Sequence, residues 1–197
     1  MTSSTLSLFK VLIGLILIIS HVAHAKNAPS KRVSPLVGLV CKGYGIEKQD
    51  RARCTQEMLL NPKISSEKDS GKLRVLLLDL AIKKATEARI SLEKMAETNI
   101  AVLGNQQILA KYPEALSACA KYFGSAIEHF RSAALRIKSE GEEIDLVDTS
   151  MDITIAGDQL LYCERTLADD HIFDQVVNSI IHKVKLFQRM ISMAFDL

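Results

Sequence analysis

No tryptophan occurs in the 197 residues, and the other large aromatics are limited to six phenylalanines and four tyrosines. No basic stripe with aromatics set between its charges can be found, so nucleic acid is not the expected partner. An excess of one charge is also missing. The 25 lysines and arginines face 23 aspartates and glutamates, and any electrostatic steering would have to come from local patches. There is no Cys-x-x-Cys pair, no histidine near a cysteine at zinc-finger spacing, and no Asn-x-Ser/Thr glycosylation acceptor. Alternation of apolar and polar residues is absent over any useful length, which argues against strands.

What is present begins with an export signal. Lys10 precedes an unbroken apolar run over residues 11–19, and Ala23-His24-Ala25 is an Ala-x-Ala cleavage site. That run is too short to cross about 30 Å of hydrocarbon. Residues 1–25 are therefore expected to be a signal peptide, leaving a secreted mature chain with no membrane contact. The remainder suits one domain, with a flexible lead-in at 26–35 and a helical domain over 36–197. Four cysteines in an exported chain, Cys41, Cys54, Cys119 and Cys163, predict two disulfides. Three pairings are open on arithmetic, and locality favours Cys41 with Cys54.

Residues 36–62 read as a helical hairpin, with Cys41 on one arm, Cys54 on the other and Gly43-Tyr44-Gly45 shortening the first. Asn61-Pro62 ends the second arm. Four longer helices are expected within 70–195. The first, over 70–99, repeats Leu73, Leu77, Ala81, Ala85, Ala88, Leu92, Met95 and Val102 at three- and four-residue steps, its alanines permitting close approach. Lys83, Lys84, Glu87, Glu93, Lys94 and Glu97 lie mostly on the other side. The second helix places Pro113 and Glu114 in its first turn. It then carries Leu116, Cys119, Phe123, Ile127, Phe130, Ala134 and Ile137 on one stripe. The third, over about 148–167, has Met151, Ile155, Leu161 and Cys163 as inward positions. The fourth, over about 170–194, is capped by Asp169 or Asp170 and carries Phe173, Val177, Ile180, Val184, Phe187 and Ile191.

Amphipathic helices of this kind predict an all-α fold, an N-terminal hairpin followed by an antiparallel four-helix bundle. Cys119 comes early in the second long helix and Cys163 late in the third. Antiparallel neighbours bring these positions to the same end, which favours their pairing.

The sequence offers little that could do chemistry. His129, His171 and His182 have no carboxylate or histidine at the four-residue spacing of a helical metal site, and structural or surface roles are expected for them. Glu142, Glu143 and Asp145, like Asp169 and Asp170, lack calcium-loop spacing and read as solvated loop or helix cap. Gly71-Lys72 has no glycine-rich run before it. With all cysteines committed to disulfides, no catalytic group, cofactor or metal is expected. The Met190, Met193 and Phe195 tail reads as core against the hairpin, or alternatively as a docking surface. A compact secreted bundle of this kind is expected to act through its surface.

Several stretches resemble the plant invertase and pectin methylesterase inhibitor family. They are Asp79-Leu80-Ala81-Ile82-Lys83-Lys84-Ala85; the run from Ala115-Leu116-Ser117-Ala118-Cys119 to Tyr122-Phe123-Gly124-Ser125-Ala126, with Phe130 and Ala134; Thr154-Ile155-Ala156 leading to Cys163; and Ser192-Met193-Ala194. The resemblance as a whole covers about residues 36–197. The resemblance implies the disulfides Cys41–Cys54 and Cys119–Cys163, a cell-wall or apoplast setting, and a monomer until it meets its target. It implies stoichiometric inhibition of pectin methylesterase or of an acid invertase by blocking access to the catalytic carboxylates.

This chain departs from the family in three places. Residues 42–53 make a long, charged insert between the first two cysteines, and Tyr162 stands where threonine is common. Invertase-directed members carry Pro-Lys-Phe after the helix with the third cysteine, whereas here Lys138-Ser139-Glu140-Gly141 leads into an acidic stretch. Pro62-Lys63-Ile64 belongs to the hairpin junction and does not replace that motif. Pectin methylesterase is therefore the preferred target, with Lys83, Glu87 and Lys94 as the candidate interface. Acid invertase is the alternative target. A secreted helical carrier of a small apolar ligand is the rival from another class.

Overall fold

A computed structural model describes residues 33–98, 106–140 and 146–197. The expected signal peptide at 1–25, the lead-in up to residue 32, Val102, and the acidic residues Glu142, Glu143 and Asp145 lie outside the described residues. Among the described residues the chain is all-helical, with seven α-helices and no strand, and two disulfides join Cys41 to Cys54 and Cys119 to Cys163.

The short helices come first. Ser34 caps α1 (Pro35–Lys42), its hydroxyl accepting from the Leu36 N–H at 3.2 Å, and Pro35 sits where a missing N–H costs nothing. Pro35 therefore belongs to α1 rather than to the lead-in. A 3₁₀ turn, Lys48–Asp50, feeds α2 (Arg51–Leu59). Asn61-Pro62 ends α2 as expected, but it also starts a helix the sequence reading did not contain. Asn61 Oδ1 accepts from the Lys63 N–H at 3.1 Å and Pro62 opens α3 (Pro62–Ser66).

Asp69 caps α4 (Ser70–Glu97), accepting from the Lys72 N–H at 2.8 Å. Leu73, Leu77, Ala81, Ala85, Ala88 and Leu92 are all buried along it. Helix α5 (Gln106–Glu140) starts seven residues before Pro113, so Pro113 lies inside the helix and not in its first turn. The reason is tertiary. The turn before Pro113 is anchored by Lys111 Nζ to Asp170 at 2.6 Å and by the Tyr112 hydroxyl to Asp174 at 2.6 Å. These contacts outweigh the lost hydrogen bond to the Leu109 carbonyl. The stripe from Leu116 to Ile137 is buried throughout.

Helix α6 (Leu146–Asp169) is rotated relative to the expectation. Thr149, Ile153, Ala156, Leu160, Cys163 and Leu167 face inward, whereas Met151 is 61% exposed and Ile155 and Leu161 are half-buried. Leu146, Val147, Met151, Ile153 and Ile155 offer competing apolar phases. The disulfide at Cys163 and the partners of Asp152 agree with the one observed. The turn after α6 places His171 at φ 56°. The His171 N–H donates to the Ala168 carbonyl at 3.0 Å and the Ile172 N–H to Leu167 at 2.8 Å, a Schellman closure. This closure turns Ile172 inward and leaves Phe173 79% exposed, outside the stripe predicted for it. Helix α7 (Gln175–Phe195) is capped by Asp174 rather than Asp169 or Asp170, its carboxylate accepting from Val176 and Val177 at 2.7 and 3.1 Å.

Helix α4 packs against α5 and α7, α6 packs against α5 and α7, and α1 and α2 lie on α7. Contacts between α5 and α6 run in opposite chain directions. Cys119 meets Cys163, His129 meets Asp152, and Arg136 meets Asp148. Phe123, Phe130 and Phe187 are fully buried in the core. Each such side chain contributes about 1.5–3 kcal/mol relative to remaining exposed.

Candidate functional surface

The candidate interface is built on the outer side of α4. Steps of four and seven residues put Lys83, Glu87 and Lys94 on one helical stripe. All three are exposed, and Ile90, 54% exposed, lies on the same stripe. The inward face carries leucine and alanine, and Lys83, Glu87 and Lys94 lie off it.

Glu87 is the most constrained of the three. Lys84 Nζ lies 2.8 Å from its carboxylate. That hydrogen bond, aided by the charges of Lys84, Lys83 and Lys183, holds the Glu87 carboxyl below its ordinary range despite some desolvation. A cleft of about 180 Å³ between α4 and α7 includes Lys84, Glu87, Ser91 and Lys183 in its lining. The sequence reading named Lys83, Glu87 and Lys94 but not Lys183, which comes from a helix almost a hundred residues further along. Only packing brings it there.

Two histidines have aspartate partners from other elements. His129 Nδ1 lies 2.9 Å from Asp152 Oδ1, while Ser132 Oγ donates to Asp152 Oδ2 at 2.7 Å. Arg136 Nε approaches the same oxygen at 3.4 Å. Burial pushes the Asp152 carboxyl up, but the hydrogen bonds from His129 and Ser132 and the Arg136 charge bring it below the ordinary range. Serine, histidine and aspartate thus meet, but the serine hydroxyl serves the carboxylate and not the imidazole. The base-to-nucleophile hydrogen bond of an activated serine is therefore not what this cluster forms. It ties α5 to α6.

His182 Nε2 lies 2.9 Å from the buried carboxylate of Asp50, which Arg189 also reaches at 3.3 Å. Arg189 further pairs with Glu47 at 2.8 Å, and Lys183 with Glu57 at 3.0 Å. Three acids of the 3₁₀ turn, α2 and the residue before them thus face three basic residues of α7. His171 is exposed in its turn.

No family model matches the chain, and no curated protein matches it either.

The remaining sequence candidates have structural positions. Asp169 is exposed, and Asp170 takes Lys111. Among the described residues no group of three or more histidine, cysteine or acidic side chains is placed to hold a metal ion. None of the described helices is long and apolar enough to cross a membrane. Met190 and Met193 are buried and Phe195 is half-buried under the Arg74 guanidinium, 5.1 Å from the ring centre. The tail is core, as the first of its two readings held.

Proposed function

We propose that the chain is a secreted, stoichiometric inhibitor of pectin methylesterase. In this reading it folds as an N-terminal hairpin on an antiparallel four-helix bundle, binds through the outer stripe of α4, and needs no catalytic group or cofactor. The observation that carries the reading is the pair of disulfides. Cys41–Cys54 ties the two short helices, and Cys119–Cys163 ties α5 to α6. This is the linkage that the resemblance in the sequence implies. The exposed row of Lys83, Glu87 and Lys94, beside Lys183, supplies a charged surface on a rigid helix, suited to recognition by complementarity.

Acid invertase is the second target, set behind by the missing Pro-Lys-Phe motif. The filled core, with Phe123, Phe130 and Phe187 fully buried, favours a surface binder over a carrier. The test is a titration of the oxidised mature chain against pectin methylesterase at mildly acidic pH, with acid invertase in parallel. Esterase activity should fall in proportion to added protein and invertase activity should hold. Combined replacement of Lys83, Glu87 and Lys94 by alanine should weaken inhibition at least tenfold while leaving stability within about 0.5 kcal/mol. Unchanged esterase activity with the folded wild-type chain would remove the reading. Unchanged affinity of the triple variant would remove only the α4 interface.

A further inference from the structure

The hairpin is held to α7 by a thioether seated on two glycines. Met193 sits opposite the turn Gly43-Tyr44-Gly45. Its sulfur accepts the Gly45 N–H at 3.2 Å. A Cβ on Gly43 would lie 2.6 Å from that sulfur, and one on Gly45 would lie 2.7 Å from the terminal methyl. A side chain at either position would force the end of Met193 to move, so the two glycines permit the present close approach. Beside this clasp the Tyr44 hydroxyl donates to Asp196 at 3.0 Å. Further along, Arg189 and His182 hold Glu47 and Asp50.

We propose that Met193 is a modification site, at which oxidation by a peroxide releases the hairpin 33–60 from α7. The chemistry is a two-electron oxygen transfer. The thioether sulfur attacks one oxygen of hydrogen peroxide, the O–O bond breaks, and a sulfur–oxygen bond forms. The sulfur is oxidised to sulfoxide and the other peroxide oxygen leaves as water. The product is a polar, chiral group where an apolar one was packed. The sulfur accepts the Gly45 N–H and lies close beside Gly43. An added oxygen there competes with the Gly45 N–H and with the Gly43 backbone for space. The turn must retreat, and the Tyr44 contact to Asp196 goes with it.

The methionines differ in the way such a site requires. Met58 and Met190 are fully buried among core residues, and Met151 is largely exposed on α6, where oxidation displaces nothing. Met193 keeps 6% of its surface accessible, an entry for a small oxidant. The proposal does not depend on the target enzyme, because its readouts are made on the chain alone.

The experiment treats the oxidised, folded chain with graded hydrogen peroxide. Peptide mass mapping follows oxygen addition at each methionine, and amide hydrogen exchange follows residues 33–60. The expected result is a loss of hairpin protection of at least tenfold in exchange rate, tracking the fraction oxidised at Met193, while α5 stays protected. Met193→Leu should keep the hairpin protected in peroxide, and Met151→Leu should behave as wild type. Full oxidation of Met193 with unchanged hairpin exchange would overturn the proposal. So would a Met193 that stays reduced after Met58 or Met190 has reacted. The wild-type correlation decides the matter even where Met193→Leu folds poorly.

Discussion

His171 occupies a left-handed backbone conformation at the C-terminus of α6, a place usually given to glycine because a Cβ is strained there. Its side chain is exposed, whereas Ile172 beside it is buried and makes the closing hydrogen bond. His171→Gly removes the strain but frees the unfolded chain somewhat. The net expectation is a gain of about 0.5–1 kcal/mol, read as a rise in the denaturant midpoint with an unchanged slope. Asp152 and Asp174 behave in the opposite sense, as native-state charges worth protecting. At both, burial raises the carboxyl, and hydrogen bonds outweigh it. Their donors are His129 and Ser132 for Asp152, and Tyr112 with the Val177 and Val176 amides for Asp174. A carboxyl lower in the folded than in the unfolded chain stabilises fully above its unfolded value, about 4. That contribution is lost as pH falls through the depressed folded value. Denaturant midpoints should therefore drop below about pH 4, and the drop should be smaller in the double variant Asp152→Asn, Asp174→Asn.

At the scale of elements, Pro113 separates two accounts of α5. At a helix start its missing N–H would be harmless, and Pro113→Ala would be nearly neutral. In the interior, where it lies, alanine restores a hydrogen bond to the Leu109 carbonyl and removes a ring clash. The variant is then expected to gain about 1–3 kcal/mol in equilibrium unfolding. The same contrast explains which elements could be read from sequence. In α4 and in α5 beyond Pro113, the apolar residues fall in one phase, so a stripe points to one buried face and the helix follows. In α6, neighbouring apolar residues support several phases. The buried one agrees with a disulfide and with Asp152's partners, contacts that sequence does not display. The first turns of α5 and the cap of α7 are set by Lys111 meeting Asp170 and Tyr112 meeting Asp174 across the fold. The candidate surface divides likewise. Lys83, Glu87 and Lys94 share a stripe because of helical spacing alone, whereas Lys183 and the pairing of Asp50 with His182 depend on how α7 lies against its neighbours.

For the whole molecule the two disulfides have unequal roles, because they close different loops in different places. Cys41–Cys54 spans 13 residues and links the short helices α1 and α2, and Cys119–Cys163 spans 44 and links two long helices. Loop-closure entropy assigns them about 3 and about 4 kcal/mol. The energies are close, but the consequences should not be. Losing Cys119–Cys163 loosens α6 from α5, whose Phe123 and Phe130 fill the core, so Cys119→Ala with Cys163→Ala should lower the midpoint of the single global transition. Losing Cys41–Cys54 leaves that core packed. Residues 33–60 are then held by the buried Val37, Val40, Ile46 and Met58, by Met193 and by ion pairs such as Glu57 with Lys183, and a partly exposed pair contributes only about 0–1 kcal/mol. Residues 33–60 should therefore exchange their amides well before α5 does, as a separate unfolding unit. Amide exchange on the two double-alanine variants distinguishes these outcomes. Early exchange confined to residues 33–60 in Cys41→Ala with Cys54→Ala would make that segment a detachable element. Simultaneous exchange of residues 33–60 and α5 in that variant would make the short and long helices one cooperative structure.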